Sequence, residues 1–184
     1  MDVYIERTFC TPLTAADERA LSRRLASAAR AYPVRWRECL VNGDRTRILC
    51  RLDAESLPAA RAAALCLGVK CEGAWLSALP WTVTTPAGME GPTATPDGSL
   101  VDVMAEWRLP ASVDALRFSR EQHACDRCLD AFRVRPGSMA TSADGRRVVA
   151  FFRAPDAEAV RNAYRHATVP FHRVTGLRRL DRSA

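Results

Sequence analysis

Two glutamates at matching positions, Glu6 and Glu106, are the residues whose type and spacing most suggest chemistry. Each ends a short alternating segment, residues 2–6 and 102–106, and such alternation is typical of a strand with one face toward a core. The apolar residues of each segment should face helices. Both carboxylates should therefore lie on the opposite face of a sheet.

A carboxylate on that face is costly to bury unless it is paired, hydrated or bound to a ligand. Three roles are therefore open for Glu106. It can bind a metal, act as a general acid or base, or form a salt bridge for which Arg35 and Arg37 are candidate partners.

All three histidines, His123, His166 and His172, lie in the second half of the chain. Imidazole nitrogens bind divalent transition metals, so these histidines and Glu106 form the predicted metal-ligand set. Under an enzymatic interpretation, Glu106 and His123 are the predicted acid/base residues. The alternative for each histidine is an ordinary surface position.

The sequence contains seven cysteines, an odd number, and the N-terminus lacks the pattern of a signal peptide. These features predict a reducing cytoplasm without a disulfide framework. Cys125 and Cys128 form a Cys-x-x-Cys pair near His123, late in a helix that is predicted to begin near Ser112. A redox pair lies at a helix N-terminus instead, so a core position is favoured over metal binding or redox chemistry.

The elements that must position these residues repeat along the chain. After the first strand, each half predicts a helix (from Thr14, and from near Ser112), two strands around a turn, a second helix (53–67 and 156–167) and a last strand (71–79 and 172–180). The turns are marked by Asn42-Gly43 and Asp144-Gly145. The order β-α-β-β-α-β, found twice, predicts an α+β fold of two tandem ferredoxin-like units that pair sheet to sheet as a barrel-like pseudo-dimer.

The predicted units span residues 1–81 and 100–184. Between them, residues 82–99 are rich in proline and glycine and lack an apolar period, which is typical of a linker.

Two segments of the second half, 154–161 (APDAEAVR) and 169–174 (VPFHRV), resemble a family of small actinobacterial ferredoxin-like nickel-binding proteins, a domain of unknown function. The similarity is to an Ala-Pro-Asp helix start and to a Pro-Phe loop before the last strand. It implies β-α-β-β-α-β units that pair as homodimers and bind nickel, so this chain would be a tandem fusion. The sequence departs from the family at Thr168, where glycine is expected, and at His172, where an acid is common.

Composition limits the functional classes. The formal net charge is +6, but the basic residues are spread along the chain, which gives no support for nucleic-acid binding. No apolar run is long enough for a membrane span, and no phosphate loop or Gly-x-Ser-x-Gly elbow is present.

Two functional hypotheses follow. The first is a cytoplasmic protein that binds nickel or another divalent transition metal, as a pseudo-dimeric monomer or a homodimer. The alternative is a small cytoplasmic enzyme of bacterial secondary metabolism. In that case an inter-sheet cavity would hold an apolar or aromatic metabolite for acid/base cyclisation, isomerisation or oxidation.

Overall fold

The computed structural model describes residues 2–65, 75–84, 100–114, 117–118, 125–142 and 144–180. The chain divides into two compact units, Met1–Pro80 with Arg178–Ala184, and Trp81–Leu177. The strands are β1 (Asp2–Thr8), β2 (Val34–Asn42), β3 (Arg47–Ala54), β4 (Trp75–Thr84), β5 (Val101–Arg108), β6 (Arg135–Ser142), β7 (Arg147–Ala154) and β8 (Arg173–Arg179). The helices with described bounds are α1 (Ala15–Ala31), α2 (Leu57–Leu65), α3 (Asp126–Ala131) and α4 (Ala157–His166).

Each unit contains an antiparallel sheet with the ferredoxin-like strand order. In the first unit, β1 lies between β3 and the first part of β4, and β3 also pairs with β2. In the second unit, β5 lies between β8 and β7, and β7 pairs with β6. Residues 81–84 of β4 add to the free side of β6. The predicted α+β class with two ferredoxin-like units is confirmed.

One face of each sheet packs against the helices of its own unit. Val3 and Ile5 of β1 belong to the apolar core of the first unit, and Val103, Ala105 and Trp107 of β5 belong to that of the second. Because side chains alternate along a strand, the side chains of Glu6 and Glu106 project from the other face of their sheets, as predicted.

Two helix starts follow the sequence signals. The Thr14 hydroxyl accepts the Asp17 N–H at 3.2 Å while the Asp17 carboxylate accepts the Thr14 N–H at 2.9 Å, which forms a capping box on α1. Asp156 accepts the Ala159 N–H at 2.8 Å and caps α4. The prediction of a helix from residue 53 is wrong, because Asp53 and Ala54 complete β3 and α2 begins only at Leu57.

The β2–β3 and β6–β7 turns share a backbone hydrogen bond and a left-handed residue at positions 100 residues apart. Arg45 donates its N–H to the Asn42 carbonyl at 2.9 Å, and Gly145 donates to the Ser142 carbonyl at 2.8 Å. Both residues have a left-handed backbone, with φ of 58° at Arg45 and 65° at Gly145. In the first turn the left-handed position is therefore Arg45, two residues beyond the predicted Asn42-Gly43.

A disulfide joins Cys39 of β2 to Cys50 of β3. The two residues face each other directly in the strand register, and both are buried in the core of the first unit. The expectation of no disulfide is wrong, because it rested on cysteine count and compartment rather than on the register.

Strand β4 extends to Thr84, so the first three residues of the predicted linker belong to a strand. The rest of that linker, residues 85–99, lies outside the described part of the chain, and the predicted unit boundaries and sheet-to-sheet pairing stay predictions. Within the described residues, no helix combines the length and apolarity that a membrane crossing needs.

Candidate functional site

Glu106 is a nearly fully buried carboxylate in the middle of the second unit's sheet. Its residue is 1 % exposed, and its Oε1 accepts a hydrogen bond from Arg147 Nη2 at 2.9 Å. Arg108 approaches the same oxygen at 3.5 Å through Nε. A buried carboxylate held by a guanidinium is a charged centre inside the fold, and such centres concentrate at functional sites.

The turn before β7 holds the backbone from which Arg147 extends. The Ser142 hydroxyl accepts the Arg147 N–H at 2.9 Å and donates to Asp144 Oδ1 at 2.5 Å. Hydrogen bonds from Ser142 and from the Arg146 N–H lower the pKa of Asp144 below its usual value. The charged Asp144 carboxylate therefore stabilises the turn that aligns Arg147 with Glu106.

The first unit contains the same ion pair at positions 100 residues earlier. Glu6 Oε1 lies 2.6 Å from Arg47 Nε, and the Arg47 side chain is only 4 % exposed. The two glutamates thus pair with arginines of β3 and β7, whereas the partners predicted from sequence were Arg35 and Arg37 of β2. Arg37 pairs with Asp53 at 3.2 Å. The repeat itself would have identified the pairs, since Arg47 and Arg147 share the offset of Glu6 and Glu106.

The segment before β8 is tied to β5 beside Glu106. The Trp107 indole donates Nε1–H to the Pro170 carbonyl at 2.7 Å, and the His172 N–H donates to the Glu106 carbonyl at 2.8 Å. The Pro-Phe motif therefore has a structural role. From the sequence, Trp107 was expected only to add aromatic surface to the core or to an inter-sheet cavity, and it does belong to the core of the second unit. Its hydrogen bond to Pro170 was not predicted, although a tryptophan next to a candidate glutamate is a usable signal.

The two predicted histidines that the structure describes do not gather around Glu106. His172 is next to it through the backbone only, and its side chain is exposed whereas that of Glu106 is buried. His166 is also exposed, with its ring centroid 5.1 Å from that of Phe132. His123 lies outside the described residues. The roles predicted for these residues stay predictions.

Cys125 and Cys128 lie at the start of α3 rather than late in a helix. Cys125 is the N-cap residue, and its side chain makes no capping hydrogen bond. Burial, and then the neighbouring Cys128 and Asp126, raise the pKa of the Cys125 thiol. A protonated, buried thiol is a poor redox nucleophile. The geometry therefore favours a core position.

A hollow of about 240 Å³ in the second unit is lined by Leu100, Asp130, Arg133, Val134 and Arg135. Neither Glu106 nor Arg147 belongs to its lining, and its volume is below that of most ligand pockets. Among the described residues, no group of three or more histidine, cysteine, aspartate or glutamate side chains could hold a metal ion.

No protein-family model matches the sequence, and no curated protein matches it. Solved structures do match. A variant of chlorite dismutase from Candidatus Nitrospira defluvii has a TM-score of 0.58 at 13% identity, covering 98% of this chain and 91% of that one. A candidate chlorite dismutase has a TM-score of 0.52 at 11% identity, with 99% and 96% covered. A candidate monooxygenase from Lactobacillus acidophilus NCFM has a TM-score of 0.52 at 8% identity, with 98% and 94% covered. Likeness at this identity shows a shared fold.

The resemblance to a nickel-binding family is wrong, because the matching structures are of chlorite dismutases and candidate monooxygenases. The motifs that suggested it have structural reasons, since Asp156 caps α4 and Pro170 accepts the Trp107 hydrogen bond. Any ferredoxin-like unit can use residues in this way. The predictions that depended on this resemblance are also wrong. They are nickel binding as the function, and nickel or another divalent transition metal as the cofactor.

Proposed function

We propose that this chain is a small enzyme acting on a small apolar or aromatic metabolite, with Glu106 as its acid/base residue. The observation that supports this most is the burial of the Glu106 carboxylate beside Arg147. A buried ion pair seldom adds stability over apolar residues of the same volume, so its presence favours a functional explanation. The fold shared with chlorite dismutases and candidate monooxygenases supports an enzyme by analogy only.

The chemistry that this centre can perform is proton transfer. The Glu106 carboxylate accepts a proton from an acidic C–H or O–H group of the substrate, and the electron pair stays on the substrate as an enolate or phenolate. The Arg147 guanidinium lies next to the charge that develops and stabilises it. The substrate anion then cyclises, or takes a proton at another carbon to give an isomer. Oxidation would also need an electron acceptor such as dioxygen. His123 remains a candidate second acid/base residue.

Heme is the group bound by a more distant neighbour, a heme-binding protein from Thermus thermophilus, at a TM-score of 0.49 and 8% identity. A protein-bound heme iron takes an axial ligand such as a histidine or a cysteine. In the described part of the chain, His166 and His172 are exposed, and the Cys125 thiol is buried in the core. These residues do not fit a heme, so no step is assigned to it.

The test uses hydrogen exchange rather than a known product. The protein is incubated in D₂O with a panel of phenols, aromatic ketones and 1,3-diketones, and deuterium incorporation is followed by mass spectrometry. We expect catalysed exchange into at least one class, reduced about 100-fold or more in Glu106→Gln, as is usual for loss of a general base. The matched control is Glu6→Gln in the first unit, which should keep the exchange rate.

Circular dichroism of both variants separates loss of chemistry from loss of fold. Exchange that persists in folded Glu106→Gln, or no exchange with any compound, would exclude the proposed role of Glu106. A hemin titration of the same protein is the comparison. A Soret shift that saturates at one hemin per chain would replace this proposal by a heme-dependent one.

We propose that the ligand of this site is a small molecule. The proposed oligomeric state is a monomer or a homodimer. Light scattering after size exclusion decides between them. A cytoplasmic location is also proposed, in which case the Cys39–Cys50 bond is open in the cell and forms on oxidation. Trapping thiols in intact cells tests it, since a cytoplasmic protein should present both cysteines as thiols.

A further inference from the structure

The Glu106 ion pair of the second unit is surrounded by more positive charge than its counterpart in the first unit. Arg108 lies directly opposite Arg147 in the β5–β7 register, and Arg173 lies directly opposite Glu106 in the β5–β8 register. Residues that face each other in antiparallel strands project from the same side of the sheet. Three arginines therefore lie on the same face as Glu106, and this group of four has a net charge of +2. The other carboxylate of β5 on this face, Asp102, pairs with Arg153 at 3.3 Å and adds no net charge.

The first unit has no arginine at the two positions that match Arg108 and Arg173. Position 8 is a threonine, and Ser77, which lies opposite Glu6 in the β1–β4 register, takes the place of Arg173. The shared part of the two sites is the buried ion pair, whereas the additional arginines belong to the second unit only. The difference is local, since the backbone hydrogen bonds of the adjoining turns are the same in the two units.

Arg108 and Arg173 are also the accessible members of the group. The Arg108 side chain is 60% exposed and Arg173 is exposed, whereas Glu106 is 1% exposed. Guanidinium groups on neighbouring strands of one sheet face repel. An anion that bridges Arg108 and Arg173 relieves this repulsion, and guanidinium groups bind carboxylates and phosphates through paired hydrogen bonds.

We propose that Arg108 and Arg173 bind the oxyanion group of a small molecule, a carboxylate or a phosphate, beside the Glu106–Arg147 pair. This rests on the proposed function in that it names the charged part of the substrate. The oxyanion anchors the molecule at the exposed side of the group while Glu106 remains available for proton transfer.

The experiment is calorimetric titration of the full chain at low salt with benzoate, acetate and inorganic phosphate. We expect at least one of them to bind with a stoichiometry of one. The affinity should fall about tenfold in Arg108→Thr, which restores the first-unit residue, and similarly in Arg173→Gln, because each loses a charge-assisted hydrogen bond. The control is Arg146→Gln, which changes the net charge equally at an exposed residue of the neighbouring turn and should bind as the unchanged protein does.

The change in anion affinity in a further variant, Glu106→Gln, distinguishes this proposal from the function on which it rests. Glu106→Gln removes the negative charge of the group, so anion binding should become tighter while proton exchange is lost. Benzoate or acetate binding identifies a carboxylate, and phosphate binding without either identifies a phosphate. Failure of all three to bind, or equal loss in Arg146→Gln and Arg108→Thr, would overturn the anion site and leave the role of Glu106 standing.

Discussion

Thr168 has a left-handed backbone with a φ of 53°, at the end of α4, where the family resemblance implied a glycine. A β-branched residue is strained in this conformation, by roughly 1–2 kcal/mol. Thr168→Gly should therefore raise the free energy of unfolding by about 0.5–1 kcal/mol, after the greater chain entropy of glycine in the unfolded state is subtracted. A melting temperature about 2 °C higher is expected by calorimetry. Thr168→Ala keeps the strain and should give no such gain, and an equal gain in both variants would refute the explanation.

Gly145 provides the opposite case, since it is a glycine that the turn requires. Its φ is 65°, and a Cβ atom there would lie 2.9 Å from the Val113 carbonyl oxygen. Gly145→Ala should lower the free energy of unfolding by about 1–3 kcal/mol, because strain and a backbone clash add. Urea titration measures this loss.

The control for that variant is Gly43→Ala in the first turn. A Cβ at Gly43 would meet nothing within 4 Å, so we expect only a small change. Comparable losses at both glycines would show that the left-handed backbone at position 145 is not the cause.

At the scale of elements, the Asp156 carboxylate fixes the start of α4 by accepting the Ala159 N–H. Asp156→Ala should cost about 1 kcal/mol of stability, because an N-terminal backbone donor loses its partner. Thermal unfolding followed by far-ultraviolet circular dichroism measures the loss. Asp156→Asn keeps an acceptor and should recover most of it, so equal losses in the two variants would contradict the capping role.

The helix starts at Thr14 and Asp156 were predictable from sequence. The start of α2 was not, although the Ser56 hydroxyl accepts the Ala59 N–H there at 3.2 Å. Thr14 and Asp156 carry side chains that cap, and α1 and α4 begin where these residues predict. By contrast, Cys125 makes no capping side-chain bond, and the apolar spacing around it also fits a longer helix. The position of Cys125 and Cys128 within their helix was therefore predicted wrongly.

The strand faces were predictable for a related reason, since alternation assigns every residue of a strand to one side. It placed Glu6 and Glu106 correctly. Their partners were not predictable from alternation alone, because Arg47 and Arg147 come from a neighbouring strand whose register depends on the turn.

At the scale of the whole molecule, the repeated β-α-β-β-α-β order predicted the fold, whereas the disulfide needed the three-dimensional register. Breaking the Cys39–Cys50 bond should cost roughly 2–3 kcal/mol, the loop-closure contribution of a short loop. A reductant should therefore lower the melting temperature by about 5–10 °C.

The contribution of this bond is tested by measuring the melting temperature of a cysteine variant with and without reductant. Cys39→Ser should melt at the temperature of the reduced protein and no longer respond to reductant. Cys10→Ser, at an exposed free cysteine, should behave as the unchanged protein. Mass spectrometry after alkylation under denaturing conditions should gain two labels on reduction, and an unchanged label count would show that Cys39 and Cys50 are thiols.

The offset of 100 residues between β1–β3 and β5–β7 has a consequence for the length of this stretch. The offset relates Glu6 to Glu106 and Arg45 to Gly145. It also relates the backbone donors to these turn residues, since the Leu13 N–H donates to the Arg45 carbonyl and the Val113 N–H donates to the Gly145 carbonyl. Two copies of an ancestral segment keep such an offset only if neither copy retains an insertion or deletion between these points. A length change of one residue within either hairpin strand would turn the arginine to the opposite side of the sheet and leave a carboxylate buried without it. The ion pair therefore constrains the length of this stretch in each unit.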